Sequence, residues 1–123
     1  MAKAPDPFHE FVMELFAPLG PVSVRRMFGG AGVYAGGVMF ALLADETIFL
    51  KADDTLRAAL TEDGCYPFVW QRPSDGALID LGYVSLPSTA LDDPDEAVIW
   101  GRKALAVARA KAAARPVRKR KKP

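Results

Sequence analysis

The chain has 123 residues, half of them hydrophobic and a quarter charged, with a formal net charge of +1. That is enough for one domain with its own core, with no strong case for two, and the composition is ordinary for a soluble globular protein. No apolar run approaches the roughly 18 residues needed to span a bilayer, and the single cysteine, Cys65, excludes an intrachain disulfide framework.

The N-terminus, MAKAPDPFHEF, has a lysine but no apolar core of signal-peptide length, so a cytoplasmic location is the expectation. The small net charge conceals an asymmetry. Through Ala110 there are nine basic and fifteen acidic residues, a net of −6, and the seven remaining basic residues run from Lys111 to Lys122. An acidic body repels phosphate backbones and a basic tail attracts them, so affinity for nucleic acid would reside in the tail.

Phe8, Phe11, Val12, Leu15, Phe16 and Leu19 follow the spacing of one helical face, and Asp6-Pro7 supplies a cap and a first residue. The spacing predicts a helix from about Pro7 to about Pro18, ended by Pro18 and Gly20-Pro21. Strands are expected at Val22–Met27, Gly32–Tyr34, Val38–Ala44 and Thr47–Lys51, with a hairpin turn at Ala35-Gly36-Gly37. Asp53 or Asp54 can cap a short helix through Leu56 and Leu60, with Gly64 as its C′ residue. Tyr66–Gln71 and Leu78–Ser85 read as two further strands joined by a turn-rich link.

The last helix has the strongest start, with Asp93 as N-cap, Pro94 as first residue and Glu96 at the capping-box position. Its stripe is Ala97, Trp100, Gly101, Ala104, Leu105 and Ala108, and Gly101 within it implies close packing, since an exposed mid-helix glycine costs about 1 kcal/mol against alanine. It should fray near Ala114. The whole predicts an α+β domain over residues 1–114, with a mostly antiparallel meander and hairpin packed on three helices, and a disordered basic tail over 115–123.

The glycine-rich stretch Arg25-Arg26-Met27-Phe28-Gly29-Gly30-Ala31-Gly32 can be read as a phosphate cradle or as a structural turn. It lacks GxxxxGK[ST], and its glycines lead into a strand, so no helix N-terminus follows them; the turn is the preferred reading. His9, the only histidine, is expected on the surface off the apolar stripe. Asp53-Asp54 and Asp92-Asp93 are explained by capping. No metal site or cofactor is expected. Cys65 follows a helix C-terminus, the wrong end for a thiolate, and reads as a small hydrophobe at a strand start.

Lys51 can be solvated, pair with Asp53 or Asp54, or point into a pocket. Tyr34, Phe40, Phe49, Phe68, Trp70 and Tyr83 lack the spacing of an RNA-stacking sheet and are expected to fill the core. Arg115, Arg118, Lys119, Arg120, Lys121 and Lys122 form either a solubilising end or a nonspecific nucleic-acid contact.

The order RRMFGGAGVY, GGVMFALLAD, TIFLKAD, GCYPFVW, GYVSLP and LDDPDEAVIWGRKALAVA resembles the N-terminal domain of the TfoX/Sxy competence regulators, from about Leu15 to Ala110. The resemblance implies a small α+β domain with no established catalytic activity, in a family associated with regulating competence genes alongside other transcription factors. Full-length members carry a second, helical domain, where this sequence has a short basic tail. Arg25, Arg26, Met27, Phe28, Gly29, Gly30, Gly32, Lys51, Pro87 and Trp100 match the family pattern.

The expectation is therefore a non-enzymatic regulatory or protein-interaction module. Its working surface would comprise Arg25, Arg26, Gly29, Gly30, Gly32 and Lys51. A protein partner is expected, with a weak nucleic-acid contact through the tail, no membrane contact, and sheet edges able to pair as a homodimer. A small-anion binder or enzyme using the Gly29–Gly32 turn is the weakest alternative.

Overall fold

The structure, a computed structural model, describes residues 6–27 and 30–114. In chain order the elements are α1 (Pro7–Leu15), a 3-10 turn (Ala17–Leu19), β1 (Val22–Met27), β2 (Gly30–Ala35), β3 (Val38–Ala44) and β4 (Thr47–Lys51). There follow α2 (Asp54–Glu62), β5 (Pro67–Gln71), β6 (Leu78–Ser85), a second 3-10 turn (Ser88–Asp92) and α3 (Pro94–Ala114). All six strands join one antiparallel sheet in the order β1-β2-β3-β4-β6-β5. The α+β class read from the sequence is the class observed.

The helix starts follow their caps. Asp6 Oδ1 accepts from the Phe8 N–H at 2.9 Å, and Asp53 Oδ1 from the Leu56 N–H at 2.8 Å. Asp93 Oδ1 accepts from the N–H groups of Asp95 and Glu96 at 3.1 and 3.2 Å. The reciprocal half of the expected capping box is different. The Glu96 carboxylate accepts from Thr89 Oγ1 at 2.9 Å and from Trp100 Nε1 at 3.1 Å, so it ties the second 3-10 turn to α3.

The largest departures from the expected boundaries are at α1 and β2. α1 stops at Leu15, because Pro18 has no N–H to give the Glu14 carbonyl; Ala17–Leu19 tightens into the 3-10 turn instead. β2 begins at Gly30, which pairs with Met27. Gly30 is needed for close approach, since a Cβ there would collide with the Leu43 carbonyl oxygen. Gly36 and Gly37 adopt φ of 59° and 80° in the expected β2–β3 turn, a conformation in which a Cβ is strained.

One face of the sheet is covered by helices. Val12 and Leu15 from α1, Phe16 at its C-cap, and Ala97, Ala104, Leu105 and Ala108 from α3, meet Val33, Phe40, Leu50 and Val84. Gly101 explains how closely the end of α1 and the following 3-10 turn pack on α3: a Cβ there would lie 2.9 Å from two ring carbons of Phe16 and 3.1 Å from Leu19. Phe16 is fully buried and stands edge-on to Phe40, with ring centroids 5.4 Å apart.

A bulge in β3 makes that contact. Val33 pairs with Ala41 and Tyr34 with Met39, leaving Phe40 without an opposite residue. Phe40 and Ala41 both join the helix-side core, while Met39 and Leu42 face the other way.

Candidate functional site

Among the described residues no helix packs on the second face of the sheet. Strand alternation places Arg25 and Met27 of β1, Gly32 and Tyr34 of β2, Met39, Leu42 and Ala44 of β3, and Phe49 and Lys51 of β4 there. Leu42, Phe49 and Tyr83 are nonetheless buried, with Met39, Ala44 and Phe68 packed against them.

The cover comes from the β5–β6 ribbon. β6 pairs with β4 only through Tyr83–Ser85, and the rest of it pairs with β5 alone. Gly82, at φ 85°, and the irregularity between Pro67 and Val69 let this ribbon depart from the plane of the sheet. The bend brings distant strands together. Met27 of β1, Leu42 and Ala44 of β3, Phe68 and Trp70 of β5 and Leu81 of β6 wall one cavity of about 410 Å³. That volume lies in the range of small-ligand and side-chain-accepting pockets, and the lining is overwhelmingly apolar.

Gly32 belongs to the floor of this face. A Cβ there would lie 2.9 Å from both Met27 Cε and Met39 Sδ, so the glycine lets the two methionines close over β2. Phe49 meets Tyr66 edge-on at 5.8 Å and Phe68 at a tilt at 5.1 Å between ring centroids. Two cations cap the aromatic surface: Arg25 lies 5.2 Å from the Tyr34 ring centroid and Lys51 4.8 Å from that of Tyr83. Burial, reinforced by the neighbouring Tyr34, pushes the Tyr83 phenol up, so it stays protonated at neutral pH.

The structure divides the residues that the sequence grouped together. Arg25, Gly32 and Lys51 lie on the second face. Arg26, one residue on, turns to the opposite side, where with Asp6, His9, Asp45 and Glu46 it lines a separate depression of about 250 Å³. Gly30 borders both hollows. Gly29, Phe28 and the tail residues Arg115, Arg118, Lys119, Arg120, Lys121 and Lys122 lie outside the described residues.

Other expectations are sharpened. His9 is not a freely exposed side chain: it is 17 % exposed, with Nε2 3.6 Å from Asp6 Oδ2, because α1 begins against the sheet's Arg26 side. Cys65 is buried, and burial pushes its thiol up, partly offset by its hydrogen bond with Ser85. Among the described residues no three His, Cys, Asp or Glu side chains gather as a metal site, and no helix is long and apolar enough to cross a membrane.

Most of the aromatic set fills cores as expected, but there are two cores where the sequence suggested one. Only Phe40 joins the helix-side core; Phe49, Phe68 and Tyr83 form the second cluster, Tyr34 lies under Arg25, and Trp70 lines the cavity. A signal was present. β3 (VMFALLA) and β4 (TIFLK) are apolar at successive positions, the pattern of strands covered on both faces rather than one.

Of the family-like positions, Pro87 is buried ahead of the second 3-10 turn and Trp100 is held by Glu96, which assigns both to the packing of α3. The comparison with known families agrees with the geometry. No curated protein matches the chain. The family described as TfoX N-terminal domain matches residues 14–108, from within α1 to the last third of α3 and including every strand. The chain belongs to the TfoX N-terminal domain family.

Proposed function

We propose that this chain is a non-enzymatic interaction module, acting in regulation by contact with another protein, and that the second face of the sheet is its working surface. The observation that carries this reading is the aromatic and methionine-lined cavity between the sheet and its own ribbon, flanked on the same face by Arg25 and Lys51. A concave apolar centre with cations around it suits an apolar side chain presented by an acidic partner segment.

Six groups of acid–base type are engaged elsewhere, which supports a binding role. Asp6, Asp53 and Asp93 cap helices, Asp75 and Asp80 pair with arginines, and the Cys65 thiol is buried and neutral. The family's association with competence regulation supports a regulatory setting, and the free thiol accords with the cytoplasm.

The test is recovery of partners from a native extract with immobilised wild type, Met27→Glu, Arg25→Ala, Arg26→Ala and Ile99→Asp. Met27 lies in the cavity wall, whereas Ile99 is exposed on α3. Partners bound by wild type and by Ile99→Asp should be lost with Met27→Glu and weakened with Arg25→Ala, and Arg26→Ala should have little effect. Equal recovery by Met27→Glu would remove this face as the interface.

A further inference from the structure

β1 and β5 are the two edges of the sheet, and they differ in charge. β1 carries Arg25 and Arg26, the kind of residue that discourages edge pairing. β5, with the sequence PFVWQ, carries no charge. The charges near it are satisfied within the chain: Arg72 pairs with Asp75 at 2.9 Å and Asp80 with Arg57 at 3.0 Å. Val69 on this edge is 45 % exposed, and Leu78 across the ribbon is 70 % exposed.

The hydrogen-bond phase of the ribbon shows which groups β5 offers outward. The Arg72 N–H donates to the Ala77 carbonyl at 2.8 Å, and the register continues as Gln71 with Leu78, Trp70 with Ile79 and Val69 with Asp80. Bonded and non-bonded pairs alternate in an antiparallel ladder. Trp70 therefore bonds to Ile79, while Val69 and Gln71 direct their N–H and C=O groups away from β6.

We propose that a second copy of this chain docks on β5, antiparallel and two-fold symmetric, with Val69 opposite Gln71 of the second copy and Trp70 opposite its own counterpart. This register forms four intermolecular hydrogen bonds from the outward groups of Val69 and Gln71. Centring the pair on Val69 would oppose Gln71 to Pro67, and centring it on Gln71 would oppose Val69 to Pro73; neither proline has an N–H to give.

The choice of a second copy rests on charge. An isologous pair sets each residue near its own copy, so β1 would bring arginines together, whereas β5 brings no like charges together. Docking joins the two sheets into one and leaves the cavity side of Trp70 in each copy intact.

Sedimentation equilibrium of the full chain over a wide concentration range tests this, with wild type and Val69→Pro. The substitution removes two of the four intermolecular bonds and none within the ribbon. Wild type should show a reversible dimer, and Val69→Pro should raise its dissociation constant at least tenfold. A second measurement does not depend on proline being tolerated. Under mild oxidation, Cys65→Ser/Trp70→Cys should give a disulfide-linked dimer, because non-bonded antiparallel partners sit about 4.5 Å apart at Cα. Cys65→Ser/Val69→Cys should not. A wild type that stays monomeric, a dimer unaffected by Val69→Pro, or an absent Trp70→Cys cross-link would overturn the proposal.

Discussion

On one face of the sheet, α1 with its C-cap and α3 bring Val12, Phe16, Ala104 and Leu105 onto Phe40, Leu50 and Val84; on the other, no helix of the described residues arrives, and Leu42, Phe49 and Tyr83 are covered by the strands' own ribbon. The helix face is the more tightly filled. Gly101 removes a side chain so that Phe16 can fill the crossing, and fully buried side chains concentrate there. The ribbon is only two strands wide and leaves about 410 Å³ unfilled between itself and the sheet. The difference is one of packing: one face is filled by helices, and the other leaves apolar surface beside a hollow.

The contrast is broken most severely by Phe16→Ala. Truncating a fully buried aromatic between α3 and Phe40 is expected to cost about 3–5 kcal/mol, read as a lower denaturant midpoint with a similar slope. A cost within the range of surface substitutions would show that the helix face can collapse and does not carry the fold.

Two glycines in β2 sharpen the comparison. Gly30→Ala puts a Cβ against the Leu43 backbone carbonyl, which cannot swing aside, and is expected to destabilise by about 1–3 kcal/mol. Gly32→Ala meets the ends of Met27 and Met39, which can rotate, and is expected to cost less than about 1 kcal/mol. Thermal melts of the pair should rank them in that order. The reverse order would mean that the methionine-covered face is the more rigid one.

A smaller effect is expected where the ribbon meets α2. The Arg57 guanidinium, helped by the Gly82 N–H, holds the Asp80 carboxyl below the usual carboxylate range. A depressed folded-state value means that the pair stabilises above the unfolded carboxylate pKa and that this contribution is lost as pH falls through the lowered value. The pair is largely solvated, so Arg57→Ala should cost less than about 1 kcal/mol at neutral pH, and the difference from wild type should shrink in acid. A difference independent of pH would mean that Arg57 acts by packing alone.

The smallest effect concerns Cys65. Its thiol is pushed up by burial, so modification by an aromatic disulfide at slightly alkaline pH should be slow in the native protein and fast after denaturation. Rapid native labelling would show that the ribbon and the second 3-10 turn open readily around it.

The elements were legible because their signals are local. Val22–Met27, Val38–Ala44, Thr47–Lys51 and Leu78–Ser85 fall where alternation and turn residues put them, and Asp6, Asp53 and Asp93 cap the helices they were expected to cap. Gly101 was read correctly as a packing glycine, since a helix interior gives few other reasons for one. The site was less legible. Arg25 and Arg26 are adjacent in sequence, so they point to opposite faces once they lie in a strand, and grouping them as one surface overlooked the period of two.

Sequence by itself determined the α+β class, the order of helices and strands, the caps and the family, because caps, turns and periodicity act between residues a few positions apart. Only the tertiary structure decided that β6 pairs with β4, that the ribbon turns at Gly82, and that Met27 and Trp70 wall the same cavity. Such pairings join residues tens of positions apart, and what selects them is the burial of whole faces, which no local pattern encodes.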